Sequence, residues 1–463
     1  MSLSRGRFLV PLLVLALTAC GSQPSPSPVV SPPGQTDASP AAPSSAPPSG
    51  GVIGAPGSSS EIYAPNPKAI TVAIDPGHGG CLDWGVPDPS KRGTAYSEKA
   101  MTLGIGLALR DMLEAQGITV VMTRDGDVAL AGDDYPQLGC SGPAWRDVDG
   151  DGQAGFEESG RVRTRDELQA RIDVANLARA DVLVSIHINS PTQDGVPVRI
   201  AFSETYYDDE TPWGVERTKR LAEDVQSGVA RALTGVDYDR QDRGVEARAF
   251  YLIARQWAAG DTCQTPGDTW CSPHRGLQTP GVLSEVGSIS LPAEQDLLVT
   301  EPGQLMVASG ITKALASYFA DRPLAVRYDA LLPGGEAGVR PAEVPGDGAP
   351  FVATALPAEA VADGVATIPM RLTNTGTAAW PAGLRLLAGW QASDAPYLAA
   401  APSQLEPLDV DVPALAPGES VEVTASLPIP GVAGRQLAWI TLAGDHPFTD
   451  DGSPALQLAR EER

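Results

Sequence analysis

The pattern of apolar and polar residues between positions 68 and 322 alternates between two periods. Short apolar runs typical of buried strands are followed by segments whose apolar residues recur every three or four positions. In 97–117, Met101, Ile105 and Leu109 share one helical face. The pattern predicts strands at 68–75, 118–124, 181–189, 249–254 and 281–287 and helices at 97–117, 165–180, 215–233 and 304–319. This order predicts an α/β domain with a mostly parallel sheet flanked by helices on both faces.

The pattern changes after residue 322. The segments 365–391, 419–430 and 435–444 show strand-type alternation and are separated by turn residues, without a convincing helix. The spacing predicts a small all-β Ig-like sandwich within 323–463, after a linker. Trp380 and Trp390 could be core residues or a sugar-binding platform, and core residues are the favoured interpretation.

The first 67 residues predict an export signal followed by a tether. Two arginines precede the apolar run 8–17, which is typical of a signal peptide and short for a membrane span. The sequence LTAC before Gly21 resembles a bacterial lipobox, in which Cys20 becomes the lipid-modified first residue; a plain secretory signal is the alternative. Residues 21–67, rich in Pro, Ser and Gly, predict a disordered tether. We expect an exported protein, lipid-anchored at the cell envelope outside the cytoplasm.

Charge and cysteine content narrow the class of protein. The chain has 33 Lys and Arg against 57 Asp and Glu, a net charge of −24, which repels nucleic acid and anionic lipid. Beyond Cys20 it has four cysteines, an even number that fits an oxidising compartment. Pairing Cys263 with Cys271 and Cys81 with Cys140 is preferred among three possibilities.

Four side chains at the ends of predicted elements carry the candidate chemistry. His78 lies in the turn DPGHGG, which lacks the residues of a phosphate-binding or dinucleotide-binding loop. Glu98 begins a helix, His187 ends a strand, and Glu285 lies in an apolar strand where an unpaired carboxylate is costly. Open α/β sheets place their sites at the carboxyl ends of strands. Two His and one carboxylate form the ligand set of a catalytic zinc site.

These residues lie in segments that resemble, in order, the motifs of the zinc-dependent N-acetylmuramoyl-L-alanine amidases, the amidase-3 family. The segments, between about residues 70 and 319, are IDPGHGG, SEKAMTLGIGLAL, VVMTRDGD, RIDVANLARADVLVSIHINS and PGVLSEVGSIS. The resemblance implies Zn²⁺ held by His78, Glu98 and His187, with Glu285 as catalytic acid/base. It implies cleavage of the amide between N-acetylmuramic acid and L-alanine of peptidoglycan, in cell-wall remodelling or cell separation. After Glu285, VGSISL departs from the family's usual Gly-Phe-Ile-Ser-Asn.

Two other functions stay open at this point. A zinc peptidase could cleave another wall amide, and a non-catalytic peptidoglycan-binding lipoprotein could keep the fold after losing a ligand or Glu285. All four positions are occupied, which favours the enzyme. The sandwich could bind a glycan or a protein partner, or act as a spacer.

A second metal signal lies in a predicted insertion at about 131–162. The loop DVDGDGQAGFEE has the spacing of an EF-hand calcium loop. Its ligands to Ca²⁺ would be the side chains of Asp147, Asp149, Asp151 and Glu158 and the backbone carbonyl of Gln153. A solvated acidic loop is the alternative, since the preceding residues do not predict a helix.

Five further polar residues are predicted to support the site without taking part in the chemistry. Arg124, Arg171 and Asn176 lie within the motifs and are assigned to the scaffold. Asp75 is expected to fix the turn or to orient a metal ligand. His274 is expected to be structural or to lie at the rim of the site.

Overall fold

A six-stranded sheet forms the centre of the N-terminal half of the described chain. The structure, a computed structural model, describes residues 66–80, 83–131, 147–149, 164–257, 274–332, 354–393, 395 and 397–462. The strands of this half are β1 (Thr71–Pro76), β2 (Thr119–Met122), β3 (Val182–Asn189), β4 (Thr192–Gln193), β5 (Val196–Pro197), β6 (Ala201–Tyr207), β7 (Arg240–Ala247) and β8 (Gly281–Ser288). The α-helices are α1 (Glu98–Glu114), α2 (Arg165–Leu177), α3 (Val215–Ala232), α4 (Pro292–Leu298) and α5 (Glu301–Ala320). Short 3₁₀ helices lie at Pro67–Ala69, Thr94–Tyr96, Tyr251–Ile253, Ala358–Ala360 and Phe448–Asp451.

The sheet is mostly parallel, as the alternation of strands and helices predicts. Its order is β2-β1-β3-β8-β6-β7, in which β6 runs antiparallel to β8 and the other neighbours run parallel. Strands β4 and β5 form a separate hairpin. The register places Pro76 opposite Ile186 and His187 opposite Glu285. The carboxyl ends of β1, β3 and β8 therefore lie side by side.

Helices cover both faces of this sheet, which confirms the predicted α/β class. On one face, α1, α3 and α5 pack their apolar stripes against residues such as Val184. Met101 and Ile105 of α1 are 0% exposed, and burying each stabilises the fold by about 1.5–3 kcal/mol. On the other face, α2 and the 3₁₀ helix Tyr251–Ile253 pack against Leu283 and its neighbours. Burial on both faces explains why the central strands are almost continuously apolar.

Two further sheets lie in the C-terminal region and share a hydrophobic core, which confirms the predicted sandwich. Their strands are β9 (Val326–Ala330), β10 (Thr354–Ala355), β11 (Val361–Ala362), β12 (Val365–Asn374), β13 (Arg385–Ala392), β14 (Glu406–Pro407), β15 (Ser420–Pro428), β16 (Gly434–Ala443) and β17 (Leu456–Glu462). The strand orders are β10-β17-β16-β13-β14 and β11-β12-β15, with β9 also paired to β12. Most pairs are antiparallel, whereas β10 and β17 run parallel. Trp380 is a core residue, 1% exposed, and Trp390 is half-buried against the same core.

The C-terminal sheets pack directly against the α/β part of the molecule. The Tyr397 hydroxyl donates a hydrogen bond to Asp173 Oδ1 of α2 at 2.7 Å. It also accepts one from Asn176 Nδ2 at 2.9 Å. The rings of Trp213 and Trp439 stack with 5.5 Å between their centroids. The buried contact unites the described residues in one compact unit.

The structure differs from the sequence prediction at one edge of the sheet. The strand predicted at 249–254 is wrong, since Tyr251–Ile253 form a 3₁₀ helix that covers the sheet face. Their apolar character comes from packing on the sheet and not from pairing within it. The prediction missed β6 and the edge strand β7, whose polar sequence RQDRGVEA shows no strand-type alternation and is largely exposed.

Several predictions lie outside the described residues. They are the signal peptide, most of the tether, the lipobox Cys20 and both cysteine pairs. Within the described part of the chain, no helix is both long and apolar enough to cross a membrane.

Candidate active site

A cleft of about 470 Å³ opens at the carboxyl ends of β1, β3 and β8. Its lining includes all four residues singled out for chemistry, namely His78, Glu98, His187 and Glu285. They come from separate parts of the chain: the turn after β1, the first turn of α1, the end of β3 and the middle of β8. The structure therefore brings the predicted ligand set and the predicted acid/base into one site.

The two imidazoles and the Glu98 carboxylate converge. His78 Nε2 lies 3.3 Å from Glu98 Oε1, and His187 Nδ1 lies 3.2 Å from the same oxygen. The two rings are nearly perpendicular, with 4.7 Å between centroids. One donor atom from each residue lies within 4.8 Å of the others, so the group could hold a metal ion. Two nitrogens and one oxygen are the donor set of many catalytic zinc sites, so the residues present fit Zn²⁺.

Glycines make room for this convergence. A Cβ on Gly77 would lie 2.4 Å from His187 Cε1, and one on Gly85 would lie 2.4 Å from Glu98 Oε2. His78 itself has φ of 62°, and the two glycines that follow it also have positive φ, so the turn after β1 is sharp. The small residues of DPGHGG therefore serve to bring imidazoles and backbone close together.

Asp83 orients His78. Its Oδ1 lies 2.7 Å from His78 Nδ1, on the side of the ring away from Glu98. A carboxylate at Nδ1 holds the proton there and leaves Nε2 to face the metal position. Burial lowers the pKa of His78, but the carboxylates of Glu98 and Asp83 outweigh it and raise this pKa to about 10. The two carboxylates thus favour the protonated, positively charged form of the His78 imidazole.

Glu98 is held in place by the backbone at both oxygens. Oε1 accepts a hydrogen bond from Ile188 N at 3.0 Å, and Oε2 accepts one from Val86 N at 2.9 Å. Burial alone would raise the pKa of Glu98, but the adjacent imidazoles of His78 and His187 hold it below its ordinary value. Its position at the first turn of α1 also favours negative charge.

Glu285 differs from Glu98 in its surroundings. Within the described residues its Oε2 is buried and has no hydrogen-bond partner. Burial, followed by the negative charge of Glu98, raises the pKa of Glu285 well above its ordinary value. Glu285 lies directly opposite His187 in the register of β3 and β8 and lines the cleft. A carboxylate of this kind can accept and release a proton beside the metal position.

Two buried arginines fix the turn that carries His78. Arg171 Nη2 donates to His78 O at 2.8 Å, and Arg124 Nη2 donates to Gly77 O at 2.9 Å. Arg171 Nη1 also donates to Asp75 Oδ1 at 2.8 Å. Burial would raise the pKa of Asp75, but Arg171 and two hydroxyls hold it below its ordinary value. Arg124 and Arg171 thus hold the backbone carbonyls of the turn, and Asp75 holds the Arg171 guanidinium.

Asn176 and His274 are not among the residues that line the cleft. Asn176 Nδ2 donates to Gly276 O at 2.9 Å as well as to Tyr397 at the interface with the C-terminal sheets. The ring of His274 stacks on Tyr251 at a centroid distance of 4.2 Å, and Tyr251 lines the cleft. Both residues therefore support the fold around the site.

The calcium-type loop is described only at its start. Asp147 and Asp149 lie with Asp166 of α2 in a group of carboxylates that could hold a metal ion. Asp166 Oδ1 already accepts hydrogen bonds from Val148 N and Asp149 N, and Asp149 Oδ2 lies 3.0 Å from Arg165 Nε. The other predicted ligands, Asp151, Gln153 and Glu158, lie outside the described residues.

Sequence reasoning missed two residues that hold the site. Asp83, the partner of His78, follows it by five positions in the same Gly-rich turn, and this proximity was the available signal. Lys99, next to Glu98, is buried, and its Nζ lies 2.9 Å from Asp127 Oδ2 and 3.8 Å from the centroid of the Trp84 ring. The sequence pattern alone does not distinguish a buried lysine beside Glu98 from a solvent-exposed one.

The fold and the site together describe an α/β protein in which two histidines and one carboxylate could hold a metal ion beside a second carboxylate, an arrangement typical of metal-dependent hydrolases. The chain belongs to the amidase-3 family, since the family model described as N-acetylmuramoyl-L-alanine amidase matches residues 72–317. This confirms the resemblance noted in the motifs. The match covers the α/β part and ends before the C-terminal sheets.

Two relatives found by sequence agree with this assignment. The germination-specific N-acetylmuramoyl-L-alanine amidase of Bacillus subtilis (strain 168) is 26% identical over 252 residues, 54% of this chain and 80% of the relative. The N-acetylmuramoyl-L-alanine amidase LytC of the same organism is 30% identical over 186 residues, 40% of this chain and 26% of LytC. Among solved structures, the CwlD amidase from Clostridioides difficile in complex with the GerS lipoprotein is 24% identical, over 54% of this chain and 98% of that chain, with a TM-score of 0.38.

Proposed function

We propose that this chain is a zinc-dependent hydrolase that cleaves the amide between N-acetylmuramic acid and L-alanine in peptidoglycan. The observation that carries the proposal is the convergence of His78, Glu98 and His187 beside Glu285, whose Oε2 lacks a hydrogen-bond partner among the described residues. The family match and the names of the relatives point to the same amide.

His78, Glu98 and His187 would hold the zinc, and Asp83 would keep His78 in the tautomer that binds it. Bound there, Zn²⁺ would supply Lewis-acid polarisation of the scissile carbonyl and would acidify water. Both oxygens of Glu98 are fixed by backbone N–H groups, so the site is preorganised before a substrate arrives.

Glu285 would move the proton. Its Oε2, which has no hydrogen-bond partner among the described residues, accepts a proton from the water that attacks the carbonyl carbon. The protonated carboxyl then gives that proton to the nitrogen of L-alanine. The C–N bond breaks, leaving the lactyl carboxylate on the glycan and a free amino group on the peptide. A water molecule is consumed and no covalent intermediate forms on the protein.

We also propose that the enzyme works at the cell envelope, in wall remodelling or cell separation. Support comes from the N-terminal sequence alone, which has a signal-type apolar run and the lipobox-like LTAC before Gly21. A lipid on Cys20 and a long Pro-rich tether would let the α/β part reach the wall from the membrane surface.

The test is digestion of purified peptidoglycan by the full chain, with released species read by mass spectrometry. The proposal expects free peptides with L-alanine at the amino terminus, lost with a chelator and restored by added zinc. His187→Ala should abolish release, and His446→Ala is the matched control because that histidine is exposed in the C-terminal region. Peptides cut elsewhere would instead establish a zinc peptidase, and binding without release would establish a wall-binding protein.

A further inference from the structure

Three strands place acidic and imidazole side chains in one row beside the cleft. His187 of β3 is opposite Glu285 of β8, and Glu285 is opposite Glu204 of β6. Residues opposite each other on neighbouring strands point to the same face of the sheet. Glu204 therefore lies on the catalytic face, one strand beyond Glu285. Its side chain is 12% exposed.

A bulge in the edge strand β7 places an arginine beside this row of side chains. The register between β6 and β7 shifts after Ser203, so Arg243 and Gly244 together lie opposite Glu204. Gly244 has φ of 73°, a conformation that glycine adopts without strain. Bulges of this kind are frequent beside active sites, where they redirect a side chain. Here Arg243 is the residue that the bulge redirects.

The contacts of Arg243 fix its guanidinium in place but leave its N–H donors without an acceptor among the described residues. Nη1 lies 3.7 Å from Glu204 Oε2, and the guanidinium carbon lies 3.5 Å from the centroid of the Phe202 ring. Within the described part of the chain, no protein atom accepts a hydrogen bond from this guanidinium. Its side chain is 35% exposed. Glu204 is itself fixed, because Oε1 accepts a hydrogen bond from Asn189 Nδ2 at 3.0 Å.

We propose that Arg243 binds a carboxylate on the peptide that leaves the reaction, and that Glu204 positions its guanidinium. This inference rests on the proposed function. Two strand spacings put Arg243 about 10 Å from Glu285. An extended peptide advances about 3.5 Å per residue, so a carboxylate on the second or third residue after the scissile nitrogen reaches it. A planar guanidinium is well suited to such a carboxylate.

The charge of the whole chain adds to the argument. With a net charge of −24, the protein repels anionic peptides at long range. Arg243 is a fixed cation two strands from Glu285, stacked on the buried Phe202 ring, and it offsets this repulsion at one point. Arg243 therefore selects substrates by the charge of the peptide and not by the amide that is cut.

The test compares two soluble glycan-linked peptides that differ at the second and third residues after the scissile bond, one carrying free carboxylates there and the other carboxamides. We expect the wild-type full chain to prefer the acid, and Arg243→Gln to lower kcat/KM about tenfold for the acid alone, mainly through KM. Arg243→Lys should recover part of the preference. Arg385→Gln, an exposed arginine of β13, is the matched control.

Each outcome bears on a separate claim. Equal loss on both substrates in Arg243→Gln would overturn the carboxylate assignment and leave Arg243 a structural residue. A wild-type enzyme that cleaves both substrates equally well would also overturn it. If the wild type cleaves neither substrate at the L-alanine amide, the proposed function itself fails, and this inference fails with it.

Discussion

Replacing Asp83 by asparagine tests how the protein prepares His78 for a metal. The carboxylate Oδ1 lies 2.7 Å from His78 Nδ1, and the two side chains are only 15% and 22% exposed. This is a short, charge-assisted contact between two side chains that are mostly shielded from water, so its loss should act directly on the His78 imidazole. Asparagine keeps the shape but removes the charge that holds the proton on Nδ1.

The expected magnitude follows from this geometry. Loss of a residue that orients a metal-binding histidine lowers metal affinity by about 10- to 100-fold, which corresponds to about 1.4–2.7 kcal/mol. Because the asparagine side chain could still accept a hydrogen bond through its amide oxygen, we expect the lower end, about tenfold. Asp83→Asn should leave the fold unchanged, since among the described residues the hydrogen bonds of this side chain go to His78 and to Gly85 of its own loop.

The assay is competition for zinc between the full chain and a chromophoric chelator of known affinity. Asp88→Asn is the matched control because Asp88 lies in the same loop but its carboxylate bonds to Ser90, Arg92 and Gly93 and not to a ligand. The control should bind zinc within about twofold of the wild type. An Asp83→Asn protein with wild-type zinc affinity would refute the reasoning that this carboxylate sets the tautomer of His78.

Three other predictions follow from contacts around the site. Gly77→Ala should lower zinc affinity by about tenfold or more, because the new Cβ would lie 2.4 Å from His187 Cε1. Gly126→Ala should leave zinc affinity unchanged, because its Cβ would meet only a side-chain atom at 3.9 Å. The same zinc competition measures both variants. Tyr397→Phe should lower the free energy of unfolding in urea by about 1–3 kcal/mol, because a buried hydroxyl with two hydrogen-bond partners is lost. An unchanged unfolding midpoint would show that these hydrogen bonds do not stabilise the interface. Burial would raise the pKa of Asp75, but an arginine and two hydroxyls lower it to about 2, so its charged form stabilises the fold above pH 4. That contribution, about 2 kcal/mol, should be lost as the pH falls from 4 to 2 in chelator-treated wild type, and Asp75→Asn should lack this part of the pH dependence in urea unfolding.

The sequence predicted the centre of the sheet better than its edge. Strands β1, β3 and β8 are buried on both faces, so their apolar runs stand out, and the chemistry-bearing residues within or directly after them could be named. The edge strand β7 is polar and exposed and carries no such signal. The apolar segment around Tyr251 was assigned to a strand because burial, and not strand pairing, determines its composition.

The support of the site was harder to predict than its ligands. His78, Glu98 and His187 could be proposed because residue type and position indicate metal binding. Asp83, Lys99 and the interface partner Tyr397 act through geometry that appears only when distant segments meet. Asp173 and Tyr397, for example, are separated by 224 positions in the chain. Contacts of that kind leave no periodic pattern in either segment.

The most direct test of the account is to measure zinc content and hydrolysis together in Glu285→Gln. If Glu285 only moves a proton, the variant should bind one zinc per chain like the wild type, while release of peptides beginning with L-alanine falls by about 10²- to 10⁴-fold. Glu246→Gln, an exposed carboxylate on β7, should change neither quantity. A Glu285→Gln protein that binds zinc and still hydrolyses peptidoglycan at the wild-type rate would contradict the central claim.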